Sequence, residues 1–475
     1  MRPDRLLLAL CAGTSAFAAQ PTPAAAPRDP RPPSAPYRVE EDWTFLRDPH
    51  PSWSTDYLDP LKYVPVGPAD WKTSLTFGGE IRHRYEYYRN DLWGALPRND
   101  PDGYHLLRAM LHADLRVGDH ARAYVELKSG LVHDKQAATK PPEEDRLDLH
   151  QAFVEWHGDS PALADTPVLL RLGRQELNYG SARLITFRDG PNVRQSFDAA
   201  LARLSPGAWK IDAFYGRPVE TDPGTFDDAT NDGQLIYGLY GVTPLPALKG
   251  AHLDLYVLGY DRDTARFISG IGNEERYSAG ARFWGRRAAL DYNFEALWQW
   301  GTFRSDDIRA WTVASDTGYT VATLPTAPRL YLKANIISGD RQPGDGELNT
   351  FNALYPRGAY FGDIGLIGPA NLINLHPGIS GKLSRQWTYN LDTVFYWREQ
   401  TADGVYNAGG ALLRAPGGSD ARYIGTQADA VVTWTYDRHL SVEFSYAHFW
   451  AGAFLEETGP SEDVDYVSIL TRFRF

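Results

Sequence analysis
A chain of 475 residues with a net charge of −12 is long enough for a large domain, and it lacks the basic surplus that nucleic-acid binding needs. Aromatic residues make up 13%, with 14 Trp, a proportion that suits rings of side chains at a membrane–water interface. The one cysteine, Cys11, lies near the start, so the chain beyond it has no disulfide, thiolate metal site or cysteine nucleophile.

Arg2 and Arg5 precede the apolar run from Leu6 to Ala12, and Ala16-Phe17-Ala18 offers a small-x-small cleavage site. Residues 1–19 therefore read as a secretory signal peptide. Residues 20–36 are a Pro/Ala-rich tether. Residues 37–71 carry Trp43, Trp53, Tyr57 and Tyr63 among prolines and read as an N-terminal periplasmic segment that plugs or docks under the C-terminal domain. No later stretch approaches the ~18 consecutive apolar residues of a spanning helix, so a membrane reading requires strands.

Residues 72–475 supply those strands, about eighteen of them by the spacing expected of outer-membrane barrels. Leu107, Ala109, Leu111, Ala113, Leu115 and Val117 alternate with polar residues, as do Trp387, Tyr389, Leu391, Thr393, Phe395 and Trp397. In the last strand Phe475, Phe473, Thr471, Ile469 and Val467 share one face, and Arg474, Arg472, Leu470 and Ser468 the other. Short turns are expected at Gly118-Asp119, Pro206-Gly207, Gly285-Arg286, Ser384-Arg385 and Asp437-Arg438. Between them fall long loops at 90–103, 133–146, 176–195, 217–233, 261–275, 339–377, 399–422 and 451–463. The expected fold is all-β: a transmembrane antiparallel barrel with short periplasmic turns and long extracellular loops, in the bacterial outer membrane among its lipid and lipopolysaccharide.

Several stretches resemble the alginate export family of outer-membrane barrels. They are Leu170-Arg171-Leu172-Gly173-Arg174-Gln175, Ser338-Gly339-Asp340-Arg341, Tyr446-Ala447-His448-Phe449-Trp450 and the closing Arg472-Phe473-Arg474-Phe475. The resemblance implies an eighteen-stranded channel that passes an anionic polysaccharide, with periplasmic export proteins as possible partners. The alternative of the same architecture is a general or small-solute porin. A closed structural barrel is a third reading.

A polyuronate carries one carboxylate per sugar, and guanidinium grips carboxylates in a planar fork. Arg171, Arg174, Arg183, Arg188 and Arg194 fall within one strand end and the following loop, Arg341 and Arg357 lie in the longest loop, and Arg108 lies on the inner wall. If the two loops fold inward, these arginines form a basic constriction. If they pair with Glu176, Asp189, Asp198, Asp340 and Asp363, they only stiffen the loops. Arg171 and Arg174 are three apart, so both reach the lumen only if Gly173 marks a bulge. The inner wall is balanced overall: Arg82, Arg84, Arg116, Arg122, Lys128, Arg282 and Lys333 are offset by Glu80, Glu86, Asp114, Glu126, Asp254, Glu295, Asp392 and Asp429.

No cofactor or metal is expected. Asp340, Asp345 and Glu347 match no standard calcium loop, and Glu143-Glu144-Asp145, Asp227-Asp228 and Asp306-Asp307 read as solvated loop charge. No enzyme is expected either. The chain has no G-x-S-x-G, H-E-x-x-H or Walker sequence, and Ser445 and His448 fall on opposite faces of one strand.

Overall fold
Alternating polar and apolar residues need two different environments, and a closed sheet between lipid and water supplies both. The structure, a computed structural model, describes residues 30–475 apart from positions 33, 51–52, 97–99 and 164. The expected signal peptide and the first part of the expected tether lie outside the described residues.

Eighteen long strands follow one another. They begin with β1 (Ser74–Arg89), β2 (Asp102–Val117), β3 (Ala121–His133), β4 (Asp145–Ser160), β5 (Thr166–Gln175) and β6 (Phe197–Leu204). Next come β7 (Lys210–Glu220), β8 (Gln234–Pro244), β9 (Ala251–Phe267), β10 (Gly270–Arg287), β11 (Leu290–Phe303) and β12 (Asp306–Thr320). The last six are β13 (Arg329–Ile337), β14 (Leu372–Lys382), β15 (Trp387–Arg398), β16 (Tyr423–Thr435), β17 (Leu440–Ala451) and β18 (Val464–Arg474). Each pairs antiparallel with the next, and β18 pairs antiparallel with β1 from Arg474 opposite Glu80 to Asp465 opposite Arg89. Closure leaves no open edge, whose unpaired N–H and C=O groups would each cost several kcal/mol (roughly) in hydrocarbon.

The alternation sorts the side chains as expected. Along β2, Tyr104, Leu106, Arg108, Met110, His112 and Asp114 are buried inside, while Leu111 and Val117 are exposed on the outer face. Exposed Trp300 and Trp450 sit near the long-loop rim, and Trp387, Tyr319 and Tyr436 near the short-turn rim.

Three expected connections differ. Residues 261–275 are not a long loop: β9 and β10 run on past the other strands and join across Ile268 and Ser269, with Arg262 opposite Glu274. Likewise Asp306 and Asp307 belong to β12, opposite Phe303 and Thr302. Charge density at these positions suggested loops, but above the lipid belt a strand no longer needs an apolar face, and charge then reports height rather than chain geometry. The turn expected at Gly285 and Arg286 falls three residues later, between β10 and β11.

Residues 30–71 pack against the inner wall at the short-turn end. Arg38 donates to the carbonyls of Gly79 and Phe475, both at 2.9 Å. The wall answers with its own guanidiniums: Arg122 donates to Val39 O at 2.9 Å, Arg116 to Glu41 O at 2.8 Å and Arg438 to Pro32 O at 3.0 Å. Val39 is fully buried against Tyr124 and Phe153. Such carbonyl-to-arginine bonds hold an irregular segment where water is scarce and its backbone acceptors need partners.

Lys62 anchors the same segment. Its Nζ donates to Phe77 O at 2.8 Å and lies 5.3 Å from the Trp43 ring. Burial, aided by Arg38 and Arg438 and opposed by Glu41 and Asp56, pulls its ammonium from the ordinary 10.5 down to about 7. Between these two values the undocked segment holds a proton that the docked lysine gives up, so docking strengthens as the pH rises through this window. Below about 7 both states are protonated and the penalty is constant. Limited proteolysis of residues 30–71 is expected to be slower at about pH 9 than at about pH 7, two points within the window. Lys62→Met is expected to flatten that dependence.

Candidate functional site
The lumen is crossed by two loops, residues 176–196 after β5 and residues 338–371 after β13. Their tips meet. Ile185 and Tyr355 form a parallel bridge, with Tyr355 N donating to Leu184 O at 2.8 Å and Thr186 N to Tyr355 O at 3.1 Å. Arg357 N adds a bond to Ala182 O at 3.2 Å. The junction is apolar beneath its backbone bonds, with Leu184, Ile185, Phe187, Leu354 and Tyr355 buried. That packing explains why two polar loops fold inward rather than extending into solvent.

The first loop touches opposite walls. Near β7 and β8, Tyr179 stacks on Phe214 and Tyr240 at 5.1 and 5.0 Å. Further on, Arg183 donates to Asn335 Oδ1 at 2.8 Å and pairs with Glu295 at 3.1 Å. Across the lumen, Asp189 meets Arg108 and Arg194, each at 2.6 Å, and Arg472 at 3.5 Å. Burial opposes ionisation of Asp189, but Arg194 and Arg108 outweigh it and hold its carboxyl well below the usual carboxylate range.

Glu80 is the hub of this cluster. It lies 2.5 Å from Arg108, 2.8 Å from Arg474, 3.5 Å from Arg472 and 3.8 Å from Arg194. Removing one member of a buried ion network strands the others. Glu80→Gln is therefore expected to destabilise the barrel by about 3–5 kcal/mol, read as a lower urea midpoint of tryptophan fluorescence.

The candidate arginines divide into paired and unpaired sets. Arg108 and Arg194 belong to the Glu80–Asp189 network. Arg171 faces inward but pairs with Glu155 at 2.5 Å over the Phe153 ring. Arg174 lies on the outer side of β5, the face of exposed Leu170 and Leu172, and forks onto Asp198 at 2.9 and 3.2 Å. The register runs unbroken through Gly173 against both neighbouring strands, so no bulge lies there and the condition for both arginines to reach the lumen is not met. Gly173 instead permits close approach, since a Cβ would meet Ala152 O at 2.2 Å at a φ of +130°.

Arg188 donates to Pro356 O at 3.0 Å and braces the loop junction. Exposed Arg357 donates to Tyr360 O at 3.1 Å, with its guanidinium 5.7 Å from the Tyr360 ring. Arg341 is exposed in the longest loop. Among the described residues, Arg188, Arg341, Arg357 and the wall lysine Lys333 have no carboxylate within ion-pair distance. Lys333 lies 4.9 Å from the Tyr331 ring and within electrostatic reach of Arg357, Asp316 and Asp392, and Arg357 is in turn in reach of Arg183 and Asp316. Of the acids expected to pair with loop arginines, Asp340 instead accepts from Ser269 at 2.8 Å, and Asp363 from Ser445. Glu347 turns to Arg309 at 2.7 Å, away from a calcium-like grouping with Asp340.

Alternation along β13 already places Lys333 inside, but that its neighbours Asp316 and Asp392 are engaged elsewhere, by Arg329 and by Tyr331 and Asn390, depends on which residues the barrel brings round. Tyr360, beside Arg357, carries no signal in the sequence.

Ser445 and His448 stand on opposite faces of β17, with His448 Nδ1 2.8 Å from Asp465. A closed barrel with a polar, loop-crossed interior and an exposed apolar exterior is an outer-membrane channel of the porin type. The model of the alginate export family matches residues 73–467, and the chain belongs to that family. A comparison with curated proteins gives no match. Among solved structures it is similar to Pseudomonas aeruginosa OccK8 (OprE), with 11% identity over 84% of this chain and 98% of that one, at a TM-score of 0.55. It is also similar to OpdK of the same organism, with 11% identity over 84% and 98% and a TM-score of 0.56. A third is OccK2 (OpdF) in complex with glucuronate, with 10% identity over 85% and 98% and a TM-score of 0.54.

Proposed function
We propose that this channel conducts hydrophilic anions of the uronate class, as an anionic polysaccharide or its fragments, past a basic constriction at the loop junction. The observation that carries this reading is the set of cations at that junction, Arg357 and Lys333 above all, which make no direct ion pair with a carboxylate among the described residues. A carboxylate passing there exchanges its hydration for guanidinium and ammonium contacts, and the flanking Tyr360 and Tyr331 rings suit the apolar face of a sugar. Neutralised arginines elsewhere on the wall serve stability and leave selectivity to these few residues. No energy input is required, since solute moves down its gradient.

A second reading, a porin for small carboxylates with no polymer role, is favoured by one observation: residues 30–71 occupy the end of the barrel opposite the long loops, which on this reading is periplasmic. A glucuronate-bound structural neighbour fits the same chemistry. Bilayer recordings in a salt gradient, with glucuronate and then a polyuronate added, separate the two. Anion preference with block by both supports polymer passage, block by glucuronate alone supports the small-solute porin, and cation preference overturns both.

A further inference from the structure
We infer that His112, Glu126, His150 and Glu176 form a binding site for one divalent transition-metal ion of the zinc type, buried where loop 176–196 leaves the wall. Ligand atoms of Glu126, His150 and Glu176 all lie within 4.8 Å of one another. His112 Nδ1 stands 3.7 Å from Glu126 Oε1, and His150 Nε2 lies 2.9 Å from Glu176 Oε1. All four side chains are at least nine-tenths buried. The second, independent observation is a deficit of partners: His112 Nδ1, His150 Nδ1 and Glu176 Oε2 are buried with no hydrogen-bond partner. Stranded polar atoms of this kind are costly, and three of them belong to the residues of this one cluster.

The local backbone is built to bring these groups together. The register of β3 against β4 shifts between Glu126 and Leu127, so that His150 is the extra residue of a bulge and both it and Gln151 turn inward. Gln151 then orients the Glu126 carboxylate, donating to its Oε2 at 2.8 Å, and fixes the Glu176 backbone by accepting from Glu176 N at 3.0 Å. Such outer contacts fix ligands at metal centres. Imidazole with carboxylate oxygen favours a zinc-type ion over calcium, which takes oxygen alone. Tetrahedral zinc at ligand distances of about 2.0–2.2 Å needs ligand atoms roughly 3.4 Å apart, so the cluster closes by side-chain adjustment of about an ångström. Arg194 lies at the edge, 3.5 Å from Glu176, with its other nitrogens committed to Asp189; Lys128 and Arg108 lie within electrostatic reach of His150, and Arg38 and Lys62 within reach of His112.

The second acidic group, Asp145, Asp148 and Asp228, carries no such inference. Lys128 already sits in it, 2.8 Å from Asp145 and 2.6 Å from Asp228.

A metal here clamps the root of the first constriction loop to β2, β3 and β4. The test uses full-length, tag-free protein refolded in detergent, in a His83→Ala background because exposed His83 and His105 form a competing imidazole pair 3.1 Å apart. After chelator treatment, Zn²⁺ titration is expected to give one tightly held ion per chain. Cu²⁺-loaded protein is expected to show nitrogen hyperfine structure in its electron paramagnetic resonance spectrum. The paired change His150→Ala and Glu176→Gln is expected to weaken Zn²⁺ by more than an order of magnitude and remove the nitrogen signal. If that variant does not refold, His112→Gln provides a milder comparison and is expected to alter the same spectrum. Absence of a nitrogen signal in the His83→Ala protein overturns the inference, as does Zn²⁺ affinity unchanged in the ligand variants.

Discussion

Deleting residues 30–71, with residues 1–29 kept, is expected to raise single-channel conductance several-fold while leaving a folded barrel. The segment adds to the sheet only the short pairing of Val64 and Pro65 with Leu75 and Ser74, and β1 itself closes directly onto β18. What it contributes is bulk within the short-turn mouth, held by bonds from Arg116, Arg122 and Arg438 to its carbonyls and by Val39 between Tyr124 and Phe153. After deletion those arginines face water, which solvates them as well as the carbonyls did, and Asp114 and Glu155 remain beside Arg122. The loss falls on resistance to ion flow rather than on the sheet. A heat-modifiable band on gels establishes that the barrel has formed, and planar-bilayer recording reads the conductance. Unchanged conductance would place the narrowest point wholly at the loop junction and deny the segment any part in gating.

The second large effect concerns selectivity. Arg357→Glu combined with Lys333→Glu is expected to turn an anion-preferring channel into a cation-preferring one, read as a change in sign of the reversal potential. These two positions matter because neither side chain makes a direct ion pair, although Asp316 lies within electrostatic reach of both. Arg357 bonds only to a carbonyl, and Lys333 lies over a tyrosine ring. Rings of uncancelled charge at a constriction set the sign of permeating ions, whereas paired wall charges cancel within a few ångströms. Arg174→Ala is the matching control. Arg174 pairs with Asp198 on the outer side of β5, and its removal is expected to leave the reversal potential unchanged. Arg188→Ala is expected to loosen the loop junction, since its guanidinium holds Pro356 O, and so to increase current noise more than it shifts selectivity. A reversal potential that does not move in the double variant removes Arg357 and Lys333 from the solute path.

Strand identity was largely legible in the sequence because period-two alternation between lipid and lumen is a local signal. β2 and β15 could be read residue by residue. The connection after β9 could not, because Arg262, Asp263, Glu274 and Glu275 look the same in a loop and in a hairpin standing above the membrane. Arg171 was correctly separated in face from Arg174 by simple parity. The bulge that parity left open lies one strand earlier, at His150, where no glycine marks it.

By itself the sequence determined a membrane barrel of about eighteen strands, its closing strand and the side of the wall each residue occupies, because each of these depends on residues two apart. Only the tertiary structure decided which charges are free. The pairing of Glu80 with Arg474, of Asp189 with Arg108, and the joining of Ile185 to Tyr355 span from 81 to 394 residues of chain. Whether an arginine selects an anion or holds a wall together depends on the carboxylate opposite it, and in a closed barrel that partner is set by strand register and loop path, not by neighbours in sequence.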